Sequence, residues 1–261
     1  MQHVLGNEWT IKSAGGSTGE AYFAQSKHQR LFLKRNTSPF LAVLSAQGIV
    51  PKLIWTKRLE NGDVITAQEW VDGRVMKPDL LHHPSVAELL GRIHHSPELL
   101  DMLTRMGKKP LNPELLYQEL VQLILESELA QSPIVERALS LMSEHLDLVC
   151  HIKPVVCHCD LNHHNWFLTN RGDLYLIDWD NAEIGDPAID LAMMFEDYID
   201  ENEQDRWLEN YGLEPSITLN LRIHWYILYQ ALNKLAFARN ILDRGNQLSK
   251  IEEILVKYKW S

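Results

Sequence analysis

The sequence has little of several features that would place it in a specialised class of protein. Among its 261 residues there are only three cysteines, Cys150, Cys157 and Cys159, and this odd number favours reduced thiols over a disulfide framework. Basic residues are in the minority, with 25 Lys and Arg against 35 Asp and Glu, so the formal net charge is −10. Extended direct contact with nucleic acid or with an anionic membrane surface is therefore disfavoured.

Long hydrophobic runs are also missing. No stretch approaches the roughly 20 apolar residues of a transmembrane helix, and the amino terminus lacks the basic start and apolar core of a signal peptide. We therefore expect a cytoplasmic protein without membrane insertion. What is present, 45% hydrophobic and 23% charged residues, is an ordinary globular composition, and the length suits one large domain or two lobes.

The hydrophobic pattern changes along the chain from short β-type segments to helical periodicity. Strands are predicted at residues 8–13, 20–24, 30–34, 53–59 and 64–70. One helix over residues 38–47 is expected among them, since Pro39 suits a first helical position and Gly48 a helix end. The first 73 residues therefore predict a small antiparallel sheet.

Beyond residue 73, apolar residues recur at the spacing of helices. Helices are predicted from Ser85 onward and at residues 113–129, 133–148, 187–199, 215–243 and 248–258, interrupted by a β-rich stretch at 155–180. The pattern predicts an α+β protein of two lobes. An amino-terminal lobe of residues 1–73 carries the antiparallel sheet, and a mainly helical carboxyl-terminal lobe spans residues 74–261.

Chemistry-bearing residues are concentrated in the β-rich stretch. It contains His158-Cys-Asp160-Leu-Asn-His-His-Asn165 and, further on, Ile177-Asp178-Trp-Asp180. This is the phosphotransferase spacing H-x-D-x-x-x-x-N with a later metal-binding Asp. Asn165 and Asp178 supply the hard oxygen ligands that Mg²⁺ prefers, and Asp160 supplies a carboxylate that orients and deprotonates an attacking hydroxyl.

Two features of the amino-terminal lobe support an ATP site. Lys34 ends an apolar strand, where its cation can hold the α- and β-phosphates. A glycine-rich turn between two predicted strands offers backbone N–H groups and hydroxyls to phosphates; it consists of Gly15, Gly16, Ser17, Thr18 and Gly19. The chain order of turn, Lys, Asp, Asn and Asp predicts ATP- and Mg²⁺-dependent phosphoryl transfer.

These motifs resemble the aminoglycoside phosphotransferase and choline kinase superfamily over nearly the whole chain. The resemblance lies in Ile177-Asp178-Trp-Asp180 and in Gly185-Asp186-Pro187-Ala-Ile-Asp190-Leu-Ala. Protein kinases would show D-F-G and A-P-E instead. The resemblance implies a protein-kinase-like fold and a small-molecule substrate.

A narrower resemblance is to the CcrZ cell cycle regulator group of Firmicutes. It is carried by Lys34-Arg-Asn-Thr-Ser-Pro39, Ala67-Gln-Glu-Trp70 and His163-His-Asn-Trp166. It implies phosphorylation of ribose or 2-deoxyribose, control of chromosome replication, and replication-initiation or cell-division proteins as partners. It also implies that adenine is received by the backbone of a hinge, which is formed by Gln68, Glu69 and Trp70.

Neighbouring residues receive supporting roles. His163, His164 and Asp180 are expected to border the phosphate-acceptor pocket. His158 and Asp190 are expected to support the catalytic loop. Zinc binding by the Cys-x-Cys pair at 157–159 with these histidines is disfavoured, because alternate side chains on a strand point to opposite faces.

One departure from the kinase pattern leaves alternatives open. The helix residue best placed to pair with Lys34 is Gln47, which has no charge, so Lys34 uses another carboxylate or a neutral hydrogen bond. Two other functions remain in view. One is a choline or amino-alcohol kinase, for which Trp225, Tyr226 and Tyr229 would form an aromatic box unless they are core. The other is a nucleotide-sensing regulator with little catalysis.

Overall fold

The β-branched and aromatic segments of the first seventy residues form the expected antiparallel sheet. In the computed structural model, which describes residues 2–15, 21–258 and 260, this sheet has the strand order β1-β2-β3-β5-β4. Its strands are β1 (Thr10–Gly15), β2 (Ala21–Gln25), β3 (Arg30–Arg35), β4 (Leu53–Arg58) and β5 (Val64–Glu69). All five strand predictions are confirmed, with ends that differ by at most two residues.

Alternation along the central strand builds the core of this sheet. Leu31 and Leu33 of β3 are fully buried, whereas their neighbours along the strand are exposed or half-buried. They pack with Ala24, Ile65 and Ala67 from the flanking strands. Two helices accompany the sheet, α1 (Gln2–Leu5) and α2 (Phe40–Ala46). Helix α2 is shorter than the predicted 38–47, because Pro39 is its N-terminal cap and Gln47 its C-terminal cap. Ser38 precedes the helix and accepts a hydrogen bond from the Phe40 N–H.

The rest of the chain is mainly helical, with two small sheets. The helices are α3 (Pro84–His94), α4 (Pro97–Arg105), α5 (Pro113–Leu125), α6 (Pro133–Glu144), α7 (Asp147–Cys150), α8 (Ala188–Asp197), α9 (Glu201–Tyr211), α10 (Ile217–Ala236) and α11 (Ile241–Lys257). The remaining strands are β6 (Gly73–Val75), β7 (Val155–Cys157), β8 (Trp166–Thr169), β9 (Leu174–Leu176) and β10 (Glu183–Gly185). Strands β6, β8 and β9 form one sheet, and β7 pairs with β10. The α+β division is confirmed.

The prediction of one long helix over 215–243 is wrong. Helix α10 ends at Ala236, and α11 begins at Ile241, because Asn240 between them accepts a hydrogen bond from the Asp243 N–H and caps a new helix. The predicted helices at 113–129 and 133–148 also end early, at Leu125 and Glu144. Strands β6 and β10 and helices α1, α4 and α9 were not predicted.

The chain divides into two compact units that do not follow the chain order. The first unit comprises Met1–Lys77, Pro97–Met102 and Asn162–Asp180, and the second comprises Pro78–Ser96, Leu103–Leu161 and Asn181–Ser261. The division into lobes at residue 73 stays a prediction. Within the described residues, no helix combines the length and the apolar character needed to cross a membrane.

Candidate active site

The segment that carries Asp160 follows β7 in the second unit, and its backbone is held by a buried carboxylate. Asp190 of α8 accepts hydrogen bonds from the N–H groups of His158, at 2.7 Å, and Cys159, at 2.9 Å. Cys159 has a φ of 61°, in the left-handed region that side chains rarely adopt, at a cost of about 1–3 kcal/mol. Asp160 itself is half-buried, so the strained turn presents a carboxylate that solvent reaches.

Asp190 keeps its charge although solvent does not reach it. Burial alone would raise the pKa of this carboxyl, but hydrogen bonds from the His94 ring and the backbone hold its pKa below the ordinary value. His94 Nε2 lies 3.0 Å from Asp190 Oδ2. A buried carboxylate costs several kcal/mol unless its oxygens are paired, and here both oxygens accept hydrogen bonds. His158 is also fully buried.

The predicted metal ligands lie in the first unit, at adjacent backbone positions. Asn165 closes a short 3-10 turn, and its carbonyl accepts a hydrogen bond from the N–H of Ile177 at 2.9 Å. Asp178 follows Ile177 in the chain and therefore lies one residue away from this hydrogen bond. Its φ of 65° again lies in the left-handed region, and its side chain is 54% exposed. One amide and one carboxylate form an oxygen donor set, which fits Mg²⁺ rather than a softer metal.

Lys34 lies near the end of β3, and its ammonium group contacts the two acidic side chains that follow β9, Asp178 and Asp180. Its Nζ is 3.0 Å from Asp180 Oδ2 and 3.5 Å from Asp178 Oδ1. Burial would lower the pKa of Lys34, but the hydrogen bond to Asp180 and the charges of both carboxylates raise it above its ordinary value. The ammonium group therefore stays charged.

The missing helix glutamate is explained by this pairing. Gln47 Nε2 donates to Glu98 Oε2 at 3.2 Å, whereas Lys34 uses the carboxylates of Asp178 and Asp180. Of the two possibilities left open by the sequence, the structure shows the use of another carboxylate. Asp180, expected at the acceptor pocket, is thus engaged by Lys34.

The predicted hinge is only partly available to a nucleotide base. The N–H of Glu69 donates to the Lys52 carbonyl at 2.8 Å, and the N–H of Trp70 donates to the Arg30 carbonyl at 3.2 Å. Gln68 lies inside β5, and its side chain donates to the Pro51 carbonyl. The next peptide N–H, that of Val71, donates to no acceptor among the described residues. Sequence patterning does not show this difference, because strand register decides which N–H groups already have an acceptor.

The two other groups of predicted residues are the neighbouring histidines at 163 and 164 and the glycine-rich turn at 15–19. His163 and His164 share the 3-10 turn of Asn165, with ring centroids 3.8 Å apart, and His164 is exposed. Gly15 ends β1, whereas Gly16, Ser17, Thr18 and Gly19 lie outside the described residues.

Two of the three aromatic residues considered for a choline box are core residues. Trp225 and Tyr226 are at most 1% exposed, and the Trp225 indole donates to the Met142 carbonyl at 2.9 Å. Tyr229 is stacked on Trp225 with ring centroids 5.7 Å apart. For Trp225 and Tyr226 the structure therefore shows the core interpretation that the sequence left open, and Tyr229 is half-buried beside them.

Comparison with known proteins identifies the family. Residues 11–222 match the model of the phosphotransferase enzyme family, known as APH, and the chain belongs to this family. The choline kinase LicA from Streptococcus pneumoniae has a similar structure, with a TM-score of 0.63, 19% identity, and coverage of 98% of this chain and 96% of that one.

Two antibiotic phosphotransferases also share the fold. APH(2")-IIIa, in complex with GDP and kanamycin, has a TM-score of 0.72 at 14% identity and covers 99% of this chain and 97% of its own. Spectinomycin phosphotransferase APH(9)-Ia, in complex with ADP and spectinomycin, has a TM-score of 0.62 at 16% identity, covering 94% and 88%. These similarities confirm the predicted kinase-like fold.

Proposed function

We propose that this protein transfers the γ-phosphoryl group of ATP to a hydroxyl group of a small molecule, in a reaction that needs Mg²⁺. The observation that carries the proposal is the cluster in the first unit, where the Lys34 ammonium contacts Asp178 and Asp180 and Asn165 adjoins the same backbone. Membership of the phosphotransferase family supports it. Nucleotide complexes of LicA with AMP and of spectinomycin phosphotransferase with ADP support the use of a nucleotide.

Each side chain has a role that follows from its chemistry. Asp160 orients the acceptor hydroxyl and takes its proton. Lys34 holds phosphate oxygens, together with the glycine-rich segment 15–19. Asn165 and Asp178 hold Mg²⁺, which when bound neutralises charge on the transferring phosphoryl group. Electrostatic positioning supplies most of the acceleration in such a reaction.

The adenine contact is proposed one residue beyond the expected hinge. A base needs a backbone donor that the protein has not already used. The N–H groups of Glu69 and Trp70 are consumed by Lys52 and Arg30. We assign the donor to Val71.

The acceptor favoured by the sequence motifs is a pentose, ribose or 2-deoxyribose. In this proposal His163 and His164, next to the metal ligand Asn165, contact sugar hydroxyls. The same motifs favour a cellular role in the control of chromosome replication and the cell cycle. Replication-initiation or cell-division proteins are the partners that this role implies.

A second candidate acceptor is an amine-bearing alcohol such as choline. The structural similarity to the choline kinase LicA from Streptococcus pneumoniae supports this candidate. A third possibility, a nucleotide sensor with little catalysis, requires the same ATP site without turnover.

The test is Mg²⁺-dependent release of ADP with ribose, 2-deoxyribose, choline, an aminoglycoside or no acceptor. The wild type is compared with Asp160→Asn, and with Asp147→Asn as a control that neutralises an exposed carboxylate of α7. We expect stimulation by a pentose that falls by about 10²- to 10⁴-fold in Asp160→Asn and persists in the control.

The other outcomes are equally informative. Stimulation by choline alone would replace the pentose with the second candidate. ATP binding without stimulation by any acceptor would favour the sensor. Turnover that is equal in wild type and Asp160→Asn would contradict the mechanism.

A further inference from the structure

Three side chains of the second unit form a continuous buried hydrogen-bonded chain behind the predicted base. The Tyr211 hydroxyl lies 2.6 Å from His94 Nδ1, and His94 Nε2 lies 3.0 Å from Asp190 Oδ2. Asp190 in turn accepts the backbone N–H groups of His158 and Cys159. We call Tyr211, His94 and Asp190 the buried triad; none of the three is more than 4% exposed.

The chemistry of Asp190 and Tyr211 shows how the triad is held together. Asp190 is ionised and only accepts, so His94 carries a proton on Nε2 and donates it to Asp190. The other ring nitrogen, Nδ1, is hydrogen-bonded to the Tyr211 hydroxyl. Burial raises the pKa of Tyr211, which keeps that hydroxyl protonated. Every polar atom of the triad is thus paired, and the Tyr211 hydroxyl fixes the orientation of the His94 ring towards Asp190.

The packing of two helices sets the position of the tyrosine. Helix α3 carries Gly91 and His94, and α9 ends at Tyr211. A Cβ at Gly91 would lie 2.2 Å from the Tyr211 carbonyl oxygen, so only glycine permits this approach. The Tyr211 ring also stacks on Trp207, with centroids 5.9 Å apart and an interplanar angle of 13°. Backbone and ring together aim the hydroxyl at His94.

The same neighbourhood is not a metal centre. Ligand atoms of His94, Cys157 and Asp190 lie within 4.8 Å of one another. However, both His94 nitrogens and both Asp190 oxygens are already hydrogen-bonded, and the Cys157 thiol donates to the Asp186 carbonyl. Burial raises the pKa of Cys157, so it is not a thiolate ligand. The cluster is a hydrogen-bond network.

We propose that Tyr211 and His94 are positioning residues for phosphoryl transfer, which act through Asp190 on the backbone immediately before Asp160. This inference rests on the proposed function. Cys159 is held in a left-handed conformation by the bond from its N–H to Asp190. If the triad loses a member, Asp190 turns, the strained peptide relaxes, and the Asp160 carboxylate loses its direction. Misplacement by about 1 Å can lower the rate of a positioned reaction by about 100-fold.

The kinetic test uses variants that break the triad at different links. Tyr211→Phe keeps the ring on Trp207 and removes only the hydroxyl. His94→Leu removes both ring nitrogens, whereas His94→Gln retains a donor that can reach Asp190. Tyr226→Phe is the matched control, because Tyr226 is as buried as Tyr211 and takes no part in the triad.

We expect a lower kcat with little change in KM for ATP. Because the nucleotide-binding residues belong to the other unit, kcat falls by about tenfold or more in Tyr211→Phe and His94→Leu, and KM for ATP stays within about twofold. His94→Gln retains more kcat than His94→Leu. Equal kcat for Tyr211→Phe and the Tyr226→Phe control would overturn the proposal.

A second measurement separates this inference from the proposed function. Amide hydrogen exchange of the peptide containing residues 158–160 reports the bonds to Asp190 whether or not the protein turns over ATP. We expect exchange there to rise about tenfold in Tyr211→Phe and not in Tyr226→Phe, with other peptides of the second unit unchanged. Unchanged or uniformly faster exchange would reject the triad as a positioning device. If exchange changes as expected between wild type and Tyr211→Phe but the wild type shows no phosphoryl transfer, only the proposed function is rejected.

Discussion

At the scale of single residues, backbone strain lies next to the chemistry. Among the described residues other than glycine, three have positive φ angles, namely Asn36, Cys159 and Asp178. Asp178 is the predicted metal ligand, and Cys159 directly precedes the predicted base. Strained conformations persist where the surroundings hold them, and they concentrate at functional sites. This supports the placement of the reaction at these two points.

The pairing of Lys34 with Asp180 leads to a prediction about nucleotide affinity. Asp180→Asn removes the nearer charge, at 3.0 Å, and keeps the side-chain size. Because both side chains are partly exposed, the pair is worth about 0.2–1 kcal/mol, so we expect KM for ATP to rise by about 1.4- to fivefold. Steady-state kinetics with each substrate varied in turn measures this effect. A rise in the acceptor KM alone would instead place Asp180 at the acceptor.

At the scale of elements, a close approach of backbones explains a short strand that was not predicted. Gly73 of β6 pairs with Thr169 of β8. A Cβ at Gly73 would lie 2.4 Å from the Leu168 carbonyl oxygen and 2.8 Å from the Thr169 Cα. Since these are backbone atoms, they cannot move aside cheaply. The strand therefore depends on glycine for its fit, and sequence patterning does not show this.

Two glycine substitutions test this explanation, one at a crowded position and one at an open position. Gly73→Ala is expected to lower the unfolding free energy by about 1–3 kcal/mol, since the overlap must be relieved by moving β6. Gly245→Ala, in α11 with no neighbour within 4 Å of the added carbon, is expected to raise it by about 0.5–1 kcal/mol. Urea unfolding of both variants measures the difference. Equal stability of Gly73→Ala and wild type would contradict the close packing of β6 on β8.

At the scale of the whole molecule, Asp190 joins the segment before Asp160 to the helices of the second unit. Because its pKa is lower in the folded than in the unfolded protein, ionised Asp190 stabilises the folded state at pH values above its unfolded pKa, near 3.8. This contribution is lost as the pH falls through the lower folded pKa. Acid therefore weakens the link between α8, α3 and the segment before Asp160.

The matching prediction concerns stability against pH. Asp190→Asn is expected to be less stable than wild type by about 3–5 kcal/mol at pH 7, because its buried donors lose a charged acceptor. The difference should narrow below about pH 4, where the unfolded chain takes up a proton at Asp190 while the folded protein, with its lower pKa, still resists protonation. Urea unfolding of both proteins between pH 7 and pH 3 tests this. A difference that is constant with pH would show that the pKa of Asp190 is not lowered on folding.

The sequence by itself determined the α+β pattern, the five strands of the first sheet and the spacing of the candidate site. These features depend on local alternation and on residue types whose chemistry is explicit, as in Asp160, Asn165 and Asp178. It could not determine what depends on contacts between distant segments. Strand register consumed the hinge N–H groups, and His94 meets Asp190 across 96 residues and Tyr211 across 117. Only the tertiary structure decided these partners, because a hydrogen bond requires proximity in space that periodicity along the chain does not encode.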